Sequence, residues 1–535
     1  MRSLTRVTGV LLVAGIGLLS PGAGGLPAWA QQTTSPPGPG EYYATPPPLS
    51  AALPNDTGQP IKKYKQTKQC VQRSLGPNVE IKDKPWGQQF LQIEEIQKIV
   101  RAATDGTAGG GIKVAVIDTG VNARKFFQGR VQAGGEYVFH TGAGDGLEDC
   151  DGHGTEVAGI IAAKPTPDIG FVGVAPDATI VSIRQSSQNY SEDTTTSSAA
   201  VPPGSSSGAP AGTGTSSPGS QIPPGNGNTG GQSASGGTQP GQQGNGRQLE
   251  QPDSAGDVKS LALAVIHAAN TPGVKVINMS VDNCRPANGQ ITQGEAQLQT
   301  AVHYAVEQKD VVVVAAAGNT SQTCAQNDQP DPNRPKNIVT PPWFSNDVLS
   351  VGAIDDTGGV ASFSVNGPWV SIAAPGTKIT SLDPASDGLA NLTIEGNAEP
   401  SEIQGTSFAA PYVTGVVALV RAKYPQLDAR AVMHRVTSTA QHPAAPGGRD
   451  TFVGAGVINP MAALTASVAS EEGVPAAKAV HLPSDLPPAI VKDTTPAIVA
   501  LAGAGGGLVA LMITLFVVRT VRRNRPTPAT PRKPA

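Results

Sequence analysis

Four stretches of this chain carry side chains suited to acyl transfer. Asp118 closes the apolar run "IKVAVIDTGV" (112–121), and His153 stands between glycines in "DGHGTEVAGIIAA" (151–163). Asn319 follows Gly318 in "VVVVAAAGNTS" (311–321), and Ser407 lies in "GTSFAAPYVTGVVALV" (405–420). A serine hydroxyl is a weak nucleophile until a base takes its proton. An imidazole is such a base, and a carboxylate fixes its tautomer and steadies the imidazolium. A side-chain amide donates to the oxyanion that attack creates. Taken singly, each has a plainer reading: a lone histidine is usually structural, a serine at a helix start caps it, and an Asn after Gly forms a turn. A second Asp-Thr-Gly begins at Asp356 and raises a different chemistry, the carboxylate dyad of an aspartic protease. Such a dyad needs two equivalent carboxylates whose proximity splits their pKa values. Asp118 ends an apolar run, whereas Asp356 leads into the polar, Gly-rich "DTGGVASFS". Asp356 therefore reads as a turn residue.

The elements that must hold these groups are legible around them. "IKVAVIDTG", "TIVSIRQ" (179–185), "VKVINMS" (274–280) and "VVVVAAAGN" are continuous apolar runs, the pattern of strands buried on both faces of a parallel sheet. Helical patterns lie between or after them: 258–270, 295–308, 408–424 and 428–439. The alternation predicts a three-layer α/β domain with a mainly parallel sheet over 107–467. His153 and Ser407 each open an apolar helix, where unpaired N–H groups favour developing negative charge. Pro411 is expected close enough to its helix start for the missing N–H to do little harm. The glycines beside His153 are expected to leave the imidazole uncovered and to let other backbone approach. One interruption stands out. Residues 185–256 are almost all Ser, Gly, Pro, Thr, Gln and Asn, too little apolar area to order themselves, and are expected to form a disordered surface insertion.

The order Asp118, His153, Asn319, Ser407 resembles the subtilisin-like serine proteases, whose triad runs Asp, His, Ser along the chain. The resemblance extends over nearly all of Ile112 to Leu464 outside the insertion, in "VAVIDTGV", "DGHGTEVAG", "INMS", "AAAGN", "GTSFAAP" and "GAGVINPMAAL". It implies Asp118, His153 and Ser407 as triad and Asn319 as oxyanion donor. It also implies Ser280, Val281 and Asp282 as the strand edge that pairs with substrate, and Ala316, Ala317 and Gly318 as part of the first specificity pocket. Subtilisins usually have Gly where Asp282 stands. No cofactor and no metal cluster is expected; the substrates implied are proteins or peptides.

The ends of the chain set the compartment. The chain has 535 residues and a net charge of −3, which gives no reason to expect nucleic acid. Arg2 and Arg6, an apolar run over 7–19 and "AWA" at 28–30 read as a secretory signal peptide over 1–30. An extension over 31–106 follows. It is expected extended or disordered to about residue 60, and "FLQIEEIQKIVRAA" (90–103) has the spacing of an amphipathic helix. After a linker at 468–497, residues 498–518 carry no charge and have the length of a membrane span. Arg519, Arg522, Arg523 and Arg525 follow, which predicts a cytoplasmic tail at 519–535 and an extracytoplasmic catalytic domain. Gly503 and Gly507 form a weak GxxxG pair. The four cysteines, Cys70, Cys150, Cys284 and Cys324, allow three pairings.

A signal peptide, a cysteine-bearing extension, a subtilisin-like domain with low-complexity loops and one C-terminal span together resemble the mycosins. These are membrane-anchored proteases of type VII secretion systems. The resemblance implies the pairs Cys70–Cys150 and Cys284–Cys324, so that the extension is retained beside the active site. It also implies partnership with the secretion membrane complex and processing of exported substrates. An alternative is a structural subunit of that complex whose catalysis is dispensable.

Overall fold

A computed structural model describes residues 44–56, 58–139, 145–194, 247–251, 253–329, 331–394, 399–472 and 495–523. The expected signal peptide, the middle of the insertion, most of the C-terminal linker and the end of the tail lie outside the described residues.

The extension contributes β1 (Tyr64–Gln66), β2 (Gln72–Ser74), α1 (Trp86–Phe90) and α2 (Ile93–Ala103). Then come β3 (Lys113–Asp118), β4 (Val131–Glu136), α3 (His153–Ala162), β5 (Thr179–Arg184), β6 (Tyr190–Glu192) and β7 (Arg247–Gln248). The middle of the chain supplies α4 (Val258–Asn270), β8 (Val274–Met279), β9 (Val281–Pro286), α5 (Gln293–Glu307), β10 (Val312–Ala316), β11 (Asn337–Thr340), β12 (Val348–Ile354) and β13 (Ile372–Pro375). Four short strands, β14 (Ser381–Leu382), β15 (Leu389–Ala390), β16 (Leu392–Ile394) and β17 (Ser401–Glu402), precede α6 (Thr406–Lys423), α7 (Ala429–Ser438) and α8 (Pro460–Thr465).

The central sheet has seven strands in the order β13-β12-β10-β8-β3-β5-β4, every neighbouring pair parallel. Its middle strands are the continuous apolar runs. Val114, Val116, Val276, Val312 and Val314 are all buried, because helices cover both faces. On one side α4 and α5 pack on each other; on the other, α3 packs against α6. Several helix starts are written locally. Asp257 and Ser260 form a reciprocal capping box on α4, as Thr292 and Glu295 do on α5. β3 lies between β5 and β8, with the later strands continuing outward from β8 and β4 beyond β5, so the strand order reverses beside it. Such a reversal opens a crevice at the carboxyl ends of the strands. Asp118 ends β3, Ser280 follows β8 and Ala316 ends β10, so the sheet delivers its polar groups to that crevice.

One expectation is corrected. The boundaries 185–256 for a disordered insertion are too wide. Gln185 and Ser186 donate backbone N–H groups to the Asp118 carbonyl, and Ser187 bridges Ala255. β6 pairs with β1, and β7 with β9. Backbone pairing, with Tyr190, Leu249 and Ala255 buried as anchors, orders these shoulders despite their polar composition. Within the extension, residues 44–56 are tied down. Gln299 Nε2 donates to the Pro47 carbonyl and Thr300 Oγ1 to the Ala51 carbonyl, and Asp56 accepts from Tyr137 Oη and His267 Nδ1. Further on, Ile93, Ile96 and Val100 form the buried stripe of α2.

A second unit contains α9 (Thr495–Arg523). Its apolar side chains, among them Leu508, Leu511, Ile513 and Phe516, are exposed. Residues 503–523 are long and apolar enough to cross a membrane.

Candidate active site

His153 is the first residue of α3, and its imidazole turns back onto the end of β3. Nδ1 lies 2.7 Å from Asp118 Oδ1, which also accepts the Thr119 N–H at 2.8 Å. This approach needs Gly154: a Cβ there would meet the Gly120 carbonyl oxygen at 2.1 Å. The glycine therefore brings helix and strand together, as expected, but it does not uncover the imidazole. His153 is 4% exposed, with the Phe408 ring centred 5.2 Å from its own. His153 Nε2 is buried with no hydrogen-bond partner among the described residues. The ring is thus oriented at one nitrogen and open at the other.

A residue that the sequence motifs did not single out fastens both halves of this pair. Buried Asp149 accepts from Thr119 Oγ1, the Gly152 N–H, and both the N–H and Oγ1 of Thr155, all at 2.7–2.8 Å. Burial pushes its carboxyl up to about 6, against the pull of the Thr155 hydrogen bonds. The available signal was an Asp shortly before a helix that starts without a side-chain cap of its own.

Ser407 is the second residue of α6. Its Oγ donates to the Ser280 carbonyl at 3.2 Å and not to His153. The reverse contact is closer: Ser280 Oγ donates to the Ser407 carbonyl at 2.7 Å. Pro411 explains that bond. It lies inside α6, beyond the first turn where it was expected to be harmless, and it lacks the N–H that would bond the carbonyl four residues earlier. That carbonyl belongs to Ser407, and Ser280 satisfies it. Asn319 Oδ1 accepts from the Thr406 N–H at 3.0 Å and from Thr406 Oγ1 at 3.3 Å. The carbonyl side of the amide is therefore fixed, and buried Nδ2 has no partner among the described residues.

The remaining expected residues flank this group. Ala316 ends β10, Ala317 donates its N–H to the Val351 carbonyl, and the Gly318 N–H reaches Thr406 Oγ1 at 3.2 Å. Val281 and Asp282 begin β9. Both carboxylate oxygens of Asp282 are buried without a partner among the described residues, and burial pushes the group up to about 8. Asp356 stands apart, paired with Lys378 in an exposed turn at 2.6 Å. No cluster of His, Cys, Asp or Glu among the described residues is arranged to hold a metal ion.

The extension reaches this site directly. Disulfides join Cys70 to Cys150 and Cys284 to Cys324. From β2, Arg73 Nε donates to Glu156 Oε1 at 2.5 Å, and its other nitrogens reach Thr393 Oγ1 and the Asp151 carbonyl. Glu156 lies on α3, one turn after His153, and is fully buried; burial raises its carboxyl while Arg73 pulls it down.

Comparison with known proteins agrees with this geometry. A model of the subtilase family matches residues 109–456. Mycosin-1 of Mycolicibacterium smegmatis is 38% identical over 499 residues, covering 90% of this chain and 95% of that protein. Mycosin-1 of Mycobacterium tuberculosis is 40% identical over 433 residues, covering 79% and 82%. The crystal structure of MycP1 from Mycobacterium smegmatis matches with a TM-score of 0.62 at 36% identity, over 79% of this chain and 95% of that one. A chain of an intact ESX-5 inner membrane complex matches with a TM-score of 0.64 at 34% identity, over 89% and 100%. With a seven-stranded parallel sheet, a histidine held by the carboxylate that ends β3, and a relative covering 90% of its length, this chain belongs to the subtilases and, among these serine endopeptidases, to the mycosins.

Proposed function

We propose that this chain is a membrane-anchored extracytoplasmic endopeptidase in which Asp118, His153 and Ser407 act as the catalytic triad and Asn319 as the oxyanion donor. The observation that carries the reading is the His153 ring, held through Nδ1 by Asp118 at 2.7 Å while Nε2 has no hydrogen-bond partner among the described residues. Ser407 Oγ turns from the Ser280 carbonyl toward Nε2, gives up its proton there and attacks the scissile carbonyl; such bonds often tighten only once substrate is bound. The new oxyanion takes hydrogen bonds from Asn319 Nδ2 and the Ser407 N–H at the positive end of α6. His153 then protonates the leaving amine, and water deacylates Ser407 by the same base. The Asn319 amide is already oriented by Thr406, so little of the donor's freedom is lost as charge develops.

The relatives supply the setting. One solved relative is described as an essential component of the type VII (ESX-1) secretion system, and another lies in the ESX-5 inner membrane complex. We place this chain in an equivalent membrane complex, processing exported proteins. A fluorophosphonate probe should label the wild type at Ser407 and leave Ser407→Ala unlabelled. Asn319→Ala should lower kcat by about 10²–10³-fold with little change in KM, the usual cost of one oxyanion donor. Label on another residue, or an unchanged kcat, would sink the assignment. Export assayed in Ser407→Ala cells separates catalysis from a purely structural role in the complex.

A further inference from the structure

The edge assigned to substrate is already taken. The small sheet containing β9 has the order β11-β9-β7, so β11 covers one edge and β7 the other. β7 runs parallel to β9, with Arg247 opposite Val281 and Gln248 opposite Asp282. The Leu249 N–H donates to the Asp282 carbonyl at 2.6 Å. The Gln248 side chain goes further into the site: Nε2 donates to the Asn319 carbonyl at 3.4 Å, and Oε1 accepts from Thr323 Oγ1 at 3.5 Å. Leu249 is buried, and Ser407 is 0% exposed. Extended peptides bind such clefts by adding a strand to an exposed edge. Along Val281–Asp282 one edge is held by β7, while β11 pairs further on, with Asn283–Pro286.

We propose that the segment Arg247–Leu249 is a built-in plug: it holds the substrate-pairing edge of β9 in the resting enzyme, and a substrate strand enters only when β7 lets go. The inference rests on reading Ser280–Asp282 as the substrate edge, and it concerns the regulation of that site. Three features suit β7 to the task. It is only two residues long, so few backbone bonds hold it. The chain turns away directly after Leu249, with Glu250 at φ 57°, so the segment does not continue along β9 toward Asn283. The Asp282 carboxylate, which has no partner among the described residues, lies on the strand that incoming substrate would pair with when β7 leaves.

Two variants of the full chain test this in detergent. Leu249→Pro removes the N–H that bonds Asp282, and Gln248→Ala removes the contact with Asn319 while leaving the backbone alone. In a Ser407→Ala background, binding of fluorescein-labelled casein peptides is followed by anisotropy; in the active background, hydrolysis of the same peptides is followed. Loss of one hydrogen bond from the plug should tighten peptide binding by about 3–10-fold and raise kcat/KM to match, chiefly through KM. If Leu249→Pro lowers the melting temperature, Gln248→Ala decides. Unchanged or weaker binding in a well-folded Gln248→Ala variant overturns the plug and makes β7 a bystander or a wall of the productive site. Tighter binding with no hydrolysis in any variant would leave the plug standing and refute the protease reading instead.

Discussion

Asp282 shows how one buried group couples the site to pH. Its carboxyl is raised to about 8 by burial, with no hydrogen bond from the described residues to offset the loss of water. An acid whose pKa is higher folded than unfolded binds its proton more tightly in the native state. Its contribution is then complete below about pH 4 and is lost as pH rises toward about 8, by up to about 1.4 kcal/mol per pH unit. Asp282→Asn keeps the shape and removes the titration. The melting temperature of the wild type should therefore fall relative to Asp282→Asn between pH 5 and pH 8. Asp149, also raised by burial, contributes the same trend to both proteins and cancels in the comparison. Parallel melting curves across that range would mean that Asp282 is solvated or paired in solution.

At the scale of elements, the extension behaves as part of the enzyme. β2 pairs with β16, the Cys70–Cys150 disulfide fixes the chain beside α3, and Arg73 meets Glu156 on that helix. Removing Arg73 strands a buried carboxylate, a loss that typically costs about 3–5 kcal/mol. Arg73→Ala should lower stability by that order in urea unfolding and reduce kcat more than it raises KM, because Glu156 shares its helix with His153. Arg73→Met with Glu156→Leu should recover most of the stability, since two apolar side chains leave no charge unpaired. An Arg73→Ala protein with native stability and kcat would show that the ion pair is idle. Such contacts mark the limit of what the sequence discloses. The four apolar runs and the helix at 258–270 were readable because burial on both faces and 3.6-residue periodicity leave local patterns. Asp118, His153 and Ser407 were readable as candidates because each lies in a distinctive motif. Arg73–Glu156 has no local trace, since its partners lie 83 positions apart. β7 is an Arg-Gln pair inside polar low-complexity chain, and backbone pairing leaves no mark on composition. Pro411 was misjudged by half a turn or so, and only the fold shows Ser280 taking the carbonyl it frees.

For the molecule as a whole, the two units divide the work. Residues 1–472 contain the sheet, the proposed triad and both disulfides, while 473–535 contain α9. At about 1.5 Å per residue, the 29 residues of α9 extend about 43 Å, longer than the roughly 30 Å hydrocarbon core. Its described apolar side chains are exposed, as suits a helix solvated by lipid. Arg519, Arg522 and Arg523 lie at one end of the helix and favour the cytoplasmic face. Among the described residues every cysteine is in a disulfide, and the sequence has only those four, so an added cysteine is a unique reporter. In intact cells a membrane-impermeant maleimide should leave Ala535→Cys unlabelled and label it after permeabilisation. A chain ended after Glu472 should leave the membrane fraction, melt as the full protein does and keep its fluorophosphonate labelling. Labelling of Ala535→Cys in intact cells would invert the topology. It would also place both disulfides on the reducing side of the membrane, where paired thiols do not persist; the oxidised state of Cys70 and Cys150 therefore checks the same orientation independently.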